Sequence, residues 1–206
     1  MGMSRPSFAG GRFSQAPVAF RWVDTEPSVC AIGARQNLTV IVWWTQATAA
    51  AVERVAHLTR EVCAEHRHMS NIHLIRDGAL VPTPAARTGF VQMMRDHAEQ
   101  LSNVAVVVGG SGFWASMMRS AITGMRFVAP RTFELRLHGR AEEIVNWLPR
   151  AHEARCGAPL PHDELAAMLA SAEQSLVSGT VEVQPAAPAP LLFSQRVTLR
   201  PRKPAV

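Results

Sequence analysis

The sequence predicts an α/β fold, a mixed β-sheet packed with α-helices that opens on a β-meander and closes with an appended C-terminal helix. Three observations carry this prediction. Three short β-branched and aromatic segments follow one another near the start, VAFRWV (18–23), VCAIGAR (29–35) and NLTVIVWW (37–44). After them, stretches with apolar residues at helical spacing alternate with apolar runs of strand length. One such run, NVAVVVGG (103–110), is continuous, as in a strand buried on both faces. The 206 residues, 48% apolar and 18% charged, supply one good core but not two, and they exclude wholesale disorder.

Residues 1–17 are rich in Gly, Ser and Pro without periodicity and read as a flexible arm. The meander follows, with turn chemistry at Asp24–Ser28 and at Gln36–Asn37. From Thr48, Val52, Val55, Thr59 and Val62 recur at helical spacing and predict a long amphipathic helix. NIHLIRD (71–77) reads as a strand. Thr83–Pro84 then supplies an N-cap followed by Pro at the first helical position, ahead of a stripe formed by Phe90, Met94, Ala98 and Leu101. The Gly-rich exit of the 103–110 strand leads into the helix FWASMMRSAITG, with Gly124 as its stop. RFVAP and TFELRLHG (132–139) give one more strand, and AEEIVNWL (141–148) the last helix of the body, ended or kinked by Pro149. The α/β domain is therefore expected over 18–157. Residues 158–178 form an appended amphipathic helix with Leu165, Met168, Leu169, Ala172 and Leu176 on one side, and 179–206 a disordered Pro/Ala-rich basic tail.

The net charge of +5 is concentrated at the two ends, because residues 23–178 hold 14 arginines against 15 acids. A near-neutral body does not suit duplex binding, so nucleic-acid contact is expected only nonspecifically through the tail. Arginine supplies all but one of the basic residues, which with the alanine excess indicates a GC-rich bacterial genome. No apolar run approaches the ~18–20 residues of a membrane span, and the N-terminus lacks a signal-like apolar stretch, so a cytoplasmic protein is expected. Cys30, Cys63 and Cys156 are widely spaced without a CxxC pair and read as reduced thiols.

The order of elements, with the junction VAVVVGGSGFWAS and a helix ending in NWL, resembles the STAS fold of anti-anti-sigma factors and of the cytoplasmic domains of anion transporters. It is similar above all to bacterial STAS-like domains of uncharacterised function, over residues 18–156. The resemblance implies regulation through protein–protein contact. In anti-anti-sigma factors a Ser at the head of a helix, after an Asp-Ser-Ser-Gly-like turn, is phosphorylated to release a partner kinase. Here RDGALVPTPAAR occupies that junction without the motif, and Thr83 alone can inherit the role. A phosphate on Thr83 would meet free amides and Arg87 one turn on. Simple N-capping explains the same residue.

GGSGF (109–113) invites two enzymatic readings and satisfies neither. The nucleophile elbow needs Gly where Phe113 stands, and the dinucleotide fingerprint needs a further Gly where Trp114 and Ala115 follow Gly112. Gly109, Gly110, Ser111 and Gly112 remain a small-residue turn at the end of a strand, where open sheets bind ligands such as an anion, a nucleotide or a lipid-like molecule. Cys63, His66, His68 and His73 are close in sequence but face poorly for one metal, and the carboxylates Asp24, Glu26, Asp77, Asp96 and Glu134 are scattered. No catalytic residue, metal or cofactor is assigned. In NLTVIVWWT, Trp43 and Trp44 point to opposite faces, so one is exposed unless the sheet is covered twice. Trp43, Trp44 and Arg87 are therefore the candidate partner surface. The sequence leads to a non-enzymatic regulatory or scaffolding module with a protein partner, compatible with a homodimer. The alternative is a small-ligand binder or an enzyme built on the Gly109–Gly112 turn.

Overall fold

Six strands, β1 (Arg21–Glu26), β2 (Cys30–Arg35), β3 (Leu38–Trp43), β4 (Met69–Ile75), β5 (Leu101–Val108) and β6 (Glu134–His138), lie side by side in chain order in a computed structural model. It describes residues 19–184; the expected arm and the tail from residue 185 onward lie outside the described residues. The first three strands are antiparallel, and β3 to β6 run parallel. A two-residue turn joins β2 to β3, with Gln36 at a φ of 50°.

The three parallel connections carry α1 (Ala49–Glu65), α2 (Pro84–Asp96) and α3 (Gly112–Val128). Because the strands progress in one direction and such crossovers are right-handed, all three helices must lie on one face. There they bury Ile41, Trp43, Val104, Val106 and Leu135. After β6 the chain passes to the opposite face, where α4 (Glu142–Val145), α5 (Leu148–Cys156) and α6 (His162–Ser178) cover Val40, Val42, Trp44, Ile72 and Leu74. The α/β expectation therefore holds, as a three-layer sandwich with helices on both faces.

Several local expectations are corrected. The helix after residue 158 is part of the core: Leu165, Met168, Leu169 and Ala172 are buried against the sheet. The indole Nε1 of Trp44 donates to the Ser175 carbonyl at 2.8 Å, and buried Arg35 pairs with Glu164 at the head of α6. The boundary expected at residue 157 thus falls between two helices that share one sheet face. Gly124 does not stop α3, which runs on through Arg126 and Phe127 to Val128. Gly124 faces open space, and a mid-helix Gly costs only about 1 kcal/mol; the helix ends where Ala129 is forced extended ahead of Pro130. Leu101 opens β5 rather than continuing the α2 stripe, since α2 stops at Asp96. Pro149 begins α5 instead of ending a helix, in the N-terminal turn where a missing N–H costs nothing.

Candidate functional site

The loops at the carboxyl ends of β3, β4 and β5 gather most of the residues singled out from the sequence. Thr83 caps α2: its Oγ1 accepts from the Ala86 N–H at 3.1 Å, while its own N–H donates to the Ala47 carbonyl at 3.2 Å. The side chain is half-buried, and Arg87 stands one turn further on. These bonds fix the head of α2 beside the end of β3.

The glycine turn follows β5. Gly110 and Gly112 adopt φ of 71° and 85°, conformations that side chains resist. A Cβ on Gly110 would also lie 2.8 Å from the Asp77 carboxylate. Arg119 reaches back from α3 to donate to the Val108 carbonyl at 2.8 Å and the Gly110 carbonyl at 3.4 Å. Ser111 is exposed at the head of α3 and makes no side-chain capping bond. With Asp77 against its backbone, the turn presents a carboxylate near the helix amides, which opposes an anionic ligand there.

Trp43 and Trp44 are only 3% and 4% exposed, so the partner surface expected on the meander does not exist. Their alternation was legible, but the second helical layer that covers Trp44 was not. Arg87 does face outward, and with Arg95, Val91, Gly124 and Val128 it lines a groove between α2 and α3. Beyond the groove, Phe113 is 82% exposed, Phe127 75% and Leu80 60%, and within it Val128 is exposed as well. The Leu80 loop joins this face through the Trp114 Nε1–H, which donates to the Ala79 carbonyl at 2.6 Å.

Of two buried histidines, the sequence offered His73 only as a metal ligand and did not single out His152. On the α1–α3 face, His73 lies against Trp43 and Phe90 and lines an apolar cavity of about 70 Å³ between the sheet, α2 and α3. The Trp43 Nε1–H donates to His73 Nδ1 at 3.2 Å, and burial pushes the ring down to about 4. On the other face, His152 belongs to a chain of hydrogen bonds. Asn103 Nδ2 donates to Ser70 Oγ at 3.0 Å, Ser70 bonds His152 Nδ1 at 2.8 Å, and His152 Nε2 bonds Asn37 Oδ1 at 3.1 Å. Burial, then the charge of Arg35, lowers His152 to about 4 as well. A Ser–His–Asn string has the makings of a nucleophile relay, but Ser70 is 0% exposed and no substrate reaches it. Its role is to fasten α5 to the amino ends of β3, β4 and β5.

The remaining groups have structural partners. Asp24 and Glu26 hold Arg54 at 2.9 and 2.7 Å, tying β1 to α1. Glu134 pairs with Arg136, and Asp96 accepts from Gln92 at 2.7 Å. Among the described residues no three His, Cys, Asp or Glu side chains converge, and Cys63 packs its sulfur 3.4 Å from that of Met69. No helix among the described residues is long and apolar enough to cross a membrane. No protein-family model matches the chain, and no curated protein matches it either.

Proposed function

We propose that the protein is a STAS-like regulatory module that acts by binding another protein rather than by turnover, and that the partner seats on the outer face of α2 and α3. The observation that carries this reading is the exposed apolar set Leu80, Phe113, Phe127 and Val128. Among the described residues these are four of the six large apolar side chains left in water. Leu80 and Phe113 stand at the head of α3 and Phe127 and Val128 at its end, and large apolar side chains left in water along one helix offer contact area to a partner. Arg87 and Arg95 line the groove between the two helices, exposed Arg126 stands on α3, and α3 contains no acidic residue. The partner that fits is an amphipathic segment with carboxylates beside its apolar side chains.

Thr83 gives this surface a switch. A phosphate at the head of α2 would add close to two negative charges one turn from Arg87 and weaken an acidic partner. The sign agrees with the STAS-like resemblance, since in anti-anti-sigma factors phosphorylation at a helix head releases the partner. The test is capture from a lysate of the source cells by full-length tagged protein, compared with Phe113→Asp, Thr83→Asp and, as a control on a distant exposed side chain, Val177→Asp. The same partner should be held by the unmodified protein and Val177→Asp, lost by at least about tenfold in Phe113→Asp, and weakened in Thr83→Asp. Equal capture by all four would move the docking surface elsewhere.

A further inference from the structure

The cavity beside His73 shares Leu80 with the proposed docking surface but is lined mainly by interior side chains. Its walls come from β3, β4, β5, α2 and α3, and include Trp43, Phe90, Met94, Val106, Met118 and Ile122. Leu80 and Thr45, both exposed, also line it and place its mouth at the loops that end β3 and β4. At about 70 Å³ it is roughly half the size of the ~150 Å³ apolar cavity that accepts benzene, so it suits a short molecule and not a long acyl chain. The unbranched thioethers of Met94, Met118 and Met125 can adjust to its shape.

One polar group decides the chemistry. Because His73 Nδ1 accepts the Trp43 indole N–H, the proton of the neutral ring sits on Nε2, which is a donor. Among the described residues Nε2 makes no hydrogen bond, and within a side chain more than nine-tenths buried this atom stays reachable from the cavity. A water meets few polar partners there: the Thr45 hydroxyl gives its proton to the Ser28 carbonyl and keeps only acceptor capacity, and the other lining side chains apart from His73 and Trp43 are apolar. Among the described residues no charged side chain lines the cavity, and burial keeps His73 neutral, so an ionised acid would enter without a counter-charge.

We infer that this cavity binds a small, neutral, largely apolar molecule with one acceptor oxygen, such as a short ketone, ester or lactone, whose oxygen takes the hydrogen bond of His73 Nε2–H. The geometry asks for an acceptor at one end and hydrocarbon elsewhere.

The test uses the full chain and two probes of one shape, butanone and its methylene analogue, in which CH₂ replaces the carbonyl oxygen. Both are titrated while the Trp43 indole and His73 ring resonances are followed by NMR. Butanone should shift both resonances saturably, and the hydrocarbon should bind about tenfold more weakly, the worth of one good hydrogen bond. In His73→Leu that preference should vanish. Absence of a saturable shift with butanone, or equal affinity for the two probes in the unmodified protein, would overturn the assignment; neither result depends on the variant folding.

Discussion

His73 and His152 lie on opposite faces of the sheet and are kept neutral by the same physics, since burial disfavours the imidazolium on each side. Their folded values near 4 fall below the ordinary 6.5, so between these limits the unfolded chain takes up protons that the native protein refuses. Stability is therefore complete above about pH 6.5, falls as the pH drops toward 4, and levels off for these two groups below that. Each histidine contributes on the order of 3 kcal/mol to this loss. Denaturant unfolding at a series of pH values checks it: the expected outcome is a midpoint that declines steeply from pH 6.5 to 4, and a flat profile would contradict the neutral-histidine assignment. Neither residue announces itself in the sequence. His73 shares its strand with the polar Ser70 and Asn71, which hides its separate role, and His152 meets Asn37 across 115 positions, a separation that local pattern cannot bridge.

Among the elements, the β2–β3 turn carries avoidable strain. Gln36 holds a φ of 50°, in the region that favours glycine. Gln36→Gly should raise stability by about 1 kcal/mol, after allowance for the greater freedom of glycine in the unfolded chain. Thermal unfolding measures it; a lower midpoint would show that the Gln36 side chain contributes more than its backbone costs. The same hairpin shows what was legible, since the meander, the apolar 103–110 strand and the Thr83 cap all rest on neighbours in sequence. Gly124 and Pro149 were misread because each residue type has two uses. Gly ends helices but survives inside one where its face is open to water, and Pro stops a helix from within but starts one from its first turn. The groove at Arg87 was half visible. The arginine was singled out, but Phe127 falls in RFVAP, which reads as strand, and only the continuation of α3 to Val128 turns it outward.

At the scale of the whole molecule, both faces of the sheet are interior. The stripe on residues 162–178 was plain in the sequence, yet a stripe says only that a helix covers something, and the Trp44 face lies more than a hundred residues away. Once α6 occupies that face Trp44 is withdrawn from any partner, as Trp43 is beneath α1 to α3 on the other, and the proposed docking site is the outer surface of α2 and α3. The most direct test removes every residue after Gly157 and asks for a cooperative thermal unfolding transition. Burial of Leu165, Met168 and Leu169 contributes about 5–8 kcal/mol, comparable to the whole stability of an ordinary domain. The shortened chain should therefore show no cooperative transition. A transition like that of the full chain would mean that the sheet stands without α6, that Trp44 can face a partner, and that the docking surface has been placed on the wrong side.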